Sequence, residues 1–269
     1  MSIVLNQLVI GIKGAGEMAS AVAWRLFKAN FRQIFMMDVD QPLAVRRKVS
    51  FCEALFDETV SVEGVAAQQV AKAQQIESAW AQGKIAVLAD PKWKALAAMQ
   101  PMVVVDAIIA KKNIGTTLSE APLVIGLGPG FCAPVDVHVV IETNRGHNLG
   151  RIITTGSADE NTGIPGSIGG YAKRRVLRAP VAGQFDTQAQ ITDLVEPGDT
   201  IGTVGNQAVQ AEIGGVLRGL IRGGMQVSAG LKLGDIDPRG EPDYCSTISD
   251  KARAIGGTVL EAILRKYNV

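Results

Sequence analysis

Cysteine is scarce. Cys52, Cys132 and Cys245 are the only three in 269 residues, and no two form a CxxC pair. An odd, widely spaced set excludes a disulfide framework and fits a reducing compartment, so a cytoplasmic protein is expected. Histidine is scarcer still, with only His138 and His147, and there is no HExxH zinc motif. An excess of charge of one sign is also missing. Lys+Arg total 27 against 26 for Asp+Glu, a net charge of +1, which argues against sequence-independent nucleic-acid binding. No uncharged apolar run approaches the roughly 18–20 residues of a membrane helix. The apolar start, Ser2 to Ile12, lacks the basic region and small-residue cleavage site of a signal peptide. GxxxxGK[ST] is absent, and Gly166-Ser167-Ile168-Gly169 fails as a nucleophile elbow because Pro165 stands in the first glycine's place. No nucleic-acid or membrane partner is therefore expected.

What is present supports a substantial core: 47% of residues are hydrophobic and 20% charged. Glycine divides the chain. Six of the 30 glycines fall in residues 1–125 and 24 in residues 126–269, so an α/β first half and a turn-rich, largely β second half are expected. In the first half, Leu8 to Ile12 and Ile34 to Met37 read as strands flanking a helix over Glu17 to Ala29. Helical patterning returns around Pro42 to Leu55 and from Gln69 to Gln82. Further strands follow at Ile85 to Ala89, Met102 to Val105 and Leu123 to Leu127. This alternation predicts a Rossmann-like, doubly wound parallel sheet, whose ligands bind beyond the carboxyl ends of the strands. Those ends carry Asp90-Pro91, Asp106-Ala107 and Gly126-Leu127-Gly128-Pro129-Gly130.

The clearest motif lies after the first strand: Gly14-Ala15-Gly16-Glu17-Met18-Ala19, a GxGxxA. Gly14 permits a tight turn, Gly16 lets backbone approach a pyrophosphate, and Ala19 keeps the helix close to the strand. Asp38 follows 24 residues after Gly14, where an acid suits a ribose. Arg46 and Arg47, beside Lys48, either hold a phosphate or form a solvated helix face. The cofactor-binding set read here is Gly14, Ala15, Gly16, Glu17, Ala19, Asp38, Arg46, Arg47, Asp106, Gly128 and Gly130. Lys111 and Lys112 either add charge to it or are ordinary solvated lysines. No catalytic residue is identified, no metal site is expected, and whether the protein is an enzyme is left open. The Val135 to Ile141 strand places His138 on one face with Asp136 and Glu142, a polar outer face in preference to a metal site.

The second half repeats itself. Shifted by 32 positions, Ala179, Val181, Gly183 and Phe185 fall on Ala211, Ile213, Gly215 and Leu217, and Val195, Gly198, Ile201 and Gly202 fall on Val227, Gly230, Leu233 and Gly234. This pattern resembles the biotinyl/lipoyl-like barrel-sandwich family. Carriers of that family present a modifiable lysine between the halves, whereas Gly205-Asn206-Gln207-Ala208 stands here. A scaffold or docking barrel is expected, not a swinging arm. Asp235, Asp237 and Asp243 read as an acidic loop after the barrel, and Cys245 as a buried thiol before a helix over Ser249 to Tyr267. The expected organisation is a nucleotide-binding domain over 1–148, a glycine-rich connection over 149–175, the barrel-sandwich over 176–240 and a C-terminal helix region over 241–269.

The GxGxxA turn, Pro42 to Phe51, Val62-Glu63-Gly64-Val65, Gly126 to Phe131, Glu142 to Arg151, Gly234 to Gly240 and Ile248 to Gly257 together resemble the selenium-dependent molybdenum hydroxylase maturation proteins (YqeB-type). Ala133-Pro134 departs from the small, flexible glycine expected there. The resemblance runs nearly end to end. It implies a first domain related to xanthine dehydrogenase accessory proteins, with a molybdenum hydroxylase and a small-molecule nucleotide as partners; whether the chain forms a homo-oligomer is left open. Such hydroxylases often carry a molybdopterin dinucleotide, whose pyrophosphate suits the Gly14–Ala19 turn. The expected ligand is a molybdopterin-type dinucleotide or NAD(P). Two alternatives stand beside the maturation reading: an NAD(P)-dependent oxidoreductase, and a non-catalytic scaffold docking onto the hydroxylase.

Overall fold

The structure, a computed structural model, describes residues 4–163 and 166–268. Ile164 and Pro165, the latter decisive for the failed nucleophile elbow, lie outside the described residues, as do the two chain ends. The chain forms two compact units. The first comprises Met1–Pro42, Ser50–Asn161 and Ile248–Val269, and the second Leu43–Val49 and Thr162–Thr247. The C-terminal helix thus belongs with the first half of the chain, while a short early segment belongs with the second.

The first unit is built on nine strands: β1 (Val9–Lys13), β2 (Gln33–Asp38), β3 (Thr59–Val62), β4 (Val65–Gln69), β5 (Ile85–Ala89), β6 (Val103–Asp106), β7 (Leu123–Leu127), β8 (Val139–Ile141) and β9 (Ile152–Ile153). Their order is β3-β4-β5-β2-β1-β6-β7-β8-β9. The near-continuous apolar runs of β1, β2, β6 and β7 are buried on both faces, as strands inside a covered parallel sheet must be. The doubly wound parallel expectation needs correction, because the sheet is mixed. β3 pairs antiparallel with β4 at one edge, and β9 antiparallel with β8 at the other. The physical reason at the first edge is a two-residue hairpin. Glu63 and Gly64 both have positive φ (42° and 78°), which is the twist such a short connection requires.

Helices are fewer than the sequence pattern predicts. α1 (Glu17–Lys28) matches its apolar spacing and buries Ala19, Val22, Ala23 and Leu26. The expected helix over Pro42 to Leu55 is instead two single 3-10 turns leading into the four-residue α2 (Ala54–Asp57). The Gln69 to Gln82 helix shrinks to a 3-10 turn and α3 (Ile76–Ala81). α4 (Lys94–Met99) precedes β6, and α5 (Asp250–Tyr267) closes the chain. The small residues of α1 and α5 allow a close crossing: a Cβ on Gly256 would stand 2.9 Å from the Ala21 carbonyl oxygen.

The second unit has eight short strands: β10 (Val176–Arg178), β11 (Gly183–Asp186), β12 (Leu194–Val195), β13 (Thr200–Val204), β14 (Gln207–Gln210), β15 (Gly215–Leu220), β16 (Met225–Val227) and β17 (Lys232–Asp237). They form two separate four-stranded sheets, β10-β17-β15-β12 and β14-β13-β11-β16, with every pair antiparallel. This corrects the biotinyl/lipoyl barrel-sandwich assignment. The unit is described as two open antiparallel sheets, each with two edge strands, and it is not a closed barrel. The 32-residue offset sends β10, β11, β12 and β13 onto β14, β15, β16 and β17, and so converts one sheet order into the other. Gly198 and Gly230, equivalent under that shift, both hold positive φ (98° and 78°).

The acidic residues of β17 differ from their sequence reading, whereas Cys245 agrees with it. Asp235 and Asp237 are not in an acidic loop; they are buried in β17. Asp235 pairs with Arg175 and Asp237 with Arg239, while Arg218 lies 3.9 and 3.7 Å from the two carboxylates. Buried carboxylates persist only when so compensated. Cys245 is buried, and burial raises its thiol pKa against the opposing pull of Arg46, Lys48 and Arg218.

Candidate functional site

β1 is apolar until its last residue, Lys13, after which Gly14 turns the chain with φ of 87°. The Gly14 amide donates to the Met37 carbonyl at 2.7 Å, which pins the turn to β2. A Cβ on Gly14 would lie 3.1 Å from the Ala107 carbonyl oxygen, so neighbouring backbone fills that side. Gly16 caps α1 with extended backbone, and a Cβ there would meet nothing within 4 Å. The side-chain position just before a 12-residue helix therefore opens onto free space at the carboxyl end of β1. Ala19 is fully buried, as its packing role requires.

Asp38 braces this turn. Its Oδ2 accepts the Ala15 N–H at 2.7 Å and its Oδ1 accepts the Val39 N–H at 2.8 Å. Burial raises its pKa, and the two backbone bonds pull the other way. The sequence places Asp38 on a ribose, yet here each oxygen already holds one backbone amide. Glu17, at the first position of α1, accepts the Ser249 hydroxyl at 2.9 Å and so ties the start of α1 to the cap of α5.

Beyond β6, Asp106 anchors the next loop. Its Oδ2 accepts the Thr116 hydroxyl at 2.6 Å and its Oδ1 accepts the Ile108 amide at 3.2 Å. Burial raises the Asp106 pKa, opposed by these bonds and by Lys13. Lys13 itself is 0% exposed; its ammonium donates to Thr116 Oγ1 and to Glu120 Oε1, both at 2.7 Å, and lies 5.5 Å from the Trp93 ring centroid. The loop between Asp106 and Thr116 stores strain, because Ile109 and Lys111 sit at φ of 59° and 63°. Asn113 closes it by accepting the Gly115 and Thr116 amides.

Gly128 and Gly130, both at positive φ, serve packing. A Cβ on Gly128 would stand 2.4 Å from Thr143 Oγ1, and one on Gly130 would stand 2.5 Å from the Lys112 Cα. The post-β7 turn is thus pressed against the Lys112 backbone and Thr143. Glu142, 2% exposed, accepts the Asn144 amide at 2.6 Å and the Asp159 amide at 2.7 Å, and holds the following loop. Lys251, partly buried in the first turn of α5, has its pKa lowered by burial and then by Arg145, with Glu17, Glu142 and Asp250 opposing.

The structure therefore assembles Gly14, Ala15, Gly16, Glu17, Ala19, Asp38, Asp106, Gly128 and Gly130 in the first unit, at or near the carboxyl ends of its strands. Arg46 and Arg47 are not among them. They belong to the second unit, where Arg46 donates to the Tyr244 and Thr247 carbonyls and Arg47 to the Leu220 carbonyl. Lys13, Thr116, Glu120 and Lys251 escaped the sequence reading; a lysine ending an otherwise apolar strand was the available signal for Lys13. His138 accepts the Val124 amide on Nδ1 at 3.0 Å, and Asp136 accepts the Cys132 amide at 2.9 Å. Among the described residues, no group of three or more His, Cys, Asp or Glu side chains is placed to hold a metal ion. No described helix is long and apolar enough to cross a membrane.

No family model matches the chain. In sequence it is similar to the uncharacterized protein YqeB of Escherichia coli (strain K12), 48% identical over 259 residues, which is 96% of this chain and 48% of that protein. The chain thus spans about half the length of the curated relative it matches. Among solved structures, it is similar to an aspartoacylase family protein from Mesorhizobium loti (11% identity, 75% of this chain and 56% of that one, TM-score 0.24) and to the ectoine utilization protein EutE of Ruegeria pomeroyi (9%, 85% of each, TM-score 0.26). A succinylglutamate desuccinylase/aspartoacylase from Rhodobacter sphaeroides gives 10% identity, 85% and 84% coverage and a TM-score of 0.25. Likeness at this level carries no argument about activity.

Proposed function

We propose that the first unit binds the phosphates of a dinucleotide-type small molecule over Gly16, and that the chain serves as an accessory protein in maturing a selenium-dependent molybdenum hydroxylase. One observation carries the ligand reading. Among Gly14, Gly16, Gly128 and Gly130, Gly16 has open space where a side chain would stand, while the other three are closed in by protein atoms. That space lies at the N-terminus of α1, where the positive end of the helix dipole favours an anion. A molybdopterin-type dinucleotide presents a pyrophosphate suited to it. The backbone at the start of α1 would hold it, with Asp38 fixing the turn behind it. The hydroxylase role rests on the sequence resemblance, and the similarity to YqeB fits that resemblance without adding an activity.

Mass spectrometry of small molecules released from the purified protein tests the reading. A pterin dinucleotide supports it. Recovery of a nicotinamide dinucleotide instead would move the protein to the NAD(P)-dependent oxidoreductase reading, and absence of any phosphorylated ligand would remove the site.

A further inference from the structure

The second unit carries a groove of about 500 Å³ that the reading above does not use. Its walls are the edge strands β10 and β14, each the terminal strand of its own sheet. These two strands are repeat equivalents. Val176 lines the groove with Ala208, Leu177 with Val209, and Arg178 with Gln210, each pair one repeat shift apart. The groove therefore lies on the internal symmetry of the unit. Val176, Leu177 and Val209 are buried and give it an apolar floor, while Arg178, Ala208 and Gln210 are exposed along its rim.

Charge at the groove is one-sided. Lys173, Arg174 and Arg178 line it against a single acid, Glu212, which Arg174 engages at 3.7 Å. In a chain of net charge +1, this is a local cationic patch. Two strand edges, an apolar floor and a basic rim are the features by which a sheet edge takes up an extended peptide. Backbone groups supply affinity, and alternate side chains meet floor and rim.

We infer that this groove is a docking site for an extended, acidic protein segment that adds as a strand to β10 or β14, with apolar side chains on the Val176–Val209 floor and carboxylates toward Lys173, Arg174 and Arg178. The inference stands independently of the Gly16 site. Fluorescence anisotropy on the full chain, with a labelled peptide of alternating glutamate and valine, tests it. Saturable binding tighter than about 1 mM is expected. Arg178→Glu should weaken it at least about tenfold, and Ala208→Trp, which fills the groove from an exposed position, should abolish it. Independently of any variant, the peptide should slow hydrogen exchange in Val176–Arg178 or Gln207–Gln210. Four results would overturn the inference: no saturable binding, equal binding of a lysine-valine peptide, equal binding of a proline-interrupted peptide, or complete competition by inorganic phosphate. The last would reassign the groove to small anions.

Discussion

Lys13 and Glu120 meet at 2.7 Å although 107 positions separate them, and the lysine side chain is wholly withdrawn from solvent. A buried ammonium tolerates that position only because Thr116, Glu120 and the Trp93 ring surround it. Thr116 then passes the connection to Asp106, so one network joins the ends of β1 and β6 to the strained loop that follows β6. Removing one partner leaves the other charge buried. Glu120→Ala is expected to destabilise the protein by about 3 kcal/mol. Lys13→Met with Glu120→Leu should recover much of that loss. Chemical denaturation of the single and double variants checks the coupling.

The glycines at the crossing of α1 and α5 should respond in opposite directions. Gly256 approaches the Ala21 carbonyl so closely that even a methyl group requires the helices to separate. Gly257, next along the same helix, has nothing within 4 Å of its Cβ position. Gly256→Ala should therefore destabilise by about 1–3 kcal/mol, whereas Gly257→Ala should stabilise by about 0.5–1 kcal/mol through helix propensity. Thermal midpoints of the two variants decide this, and equal effects would remove the close-crossing argument.

Much of the first unit's centre is legible in the sequence because its signals are local. β1, β2, β5, β6 and β7 are short apolar runs between turn residues, and Gly14 to Ala19 announces the turn into α1. Pro42 to Leu55 misleads for a physical reason. Its apolar residues serve different units: Val45 packs against Gly219, whereas Phe51 donates its amide to Ser20 Oγ. One helix face cannot be inferred from residues that separate in this way. The burial of Lys13 is likewise hidden, because its partners stand 103 and 107 positions away. The strand repeat is legible because both copies keep their glycines. That Asp235 and Asp237 point inward is not, since the compensating Arg175 and Arg218 come from elsewhere in the unit.

Acid should weaken the first unit through Glu63. Burial raises its pKa, but the Arg253 guanidinium at 2.5 Å and the Ile248 amide more than reverse this, and the net shift is below the ordinary value of 4.5. A carboxylate depressed in the folded state contributes stability that is fully present above its unfolded pKa. That contribution is lost as pH falls through the folded value. Glu63→Gln should then cost about 1 kcal/mol near neutrality, and the difference from wild type should shrink as pH drops below about 4.5. Denaturation curves across that range test the sign; a gap that widens on acidification would refute the pairing.

The Gly16 assignment separates binding from folding. Gly16→Val directs a branched side chain into open space, so the thermal midpoint should stay within about 1–2 °C of wild type. Phosphate-bearing ligands should nevertheless lose at least about tenfold in affinity, because that space is where they are proposed to lie. Gly130→Val is the contrasting variant. It collides with the Lys112 backbone at a positive φ and should destabilise the fold outright. Calorimetric titration with pterin and adenine dinucleotides distinguishes the two, and unchanged affinity in folded Gly16→Val would withdraw the site.

The maturation reading makes its own demand in the cell. An accessory protein that handles a dinucleotide acts after its target polypeptide exists, so its loss should affect cofactor content and spare synthesis. Deleting the gene should leave the hydroxylase polypeptide at normal abundance but inactive, with molybdenum, selenium or pterin depleted in the purified enzyme. Complementation with Gly16→Val should fail if phosphate binding is the step required. Complementation with Gly257→Ala, a substitution into open space on α5, should succeed. Elemental and pterin analysis of hydroxylase from each strain measures this directly. Full cofactor content without the protein would reject the maturation role while leaving ligand binding at Gly16 open to its own titration. Normal content with Gly16→Val but not in the deletion would retain the role and assign it to another surface of the chain.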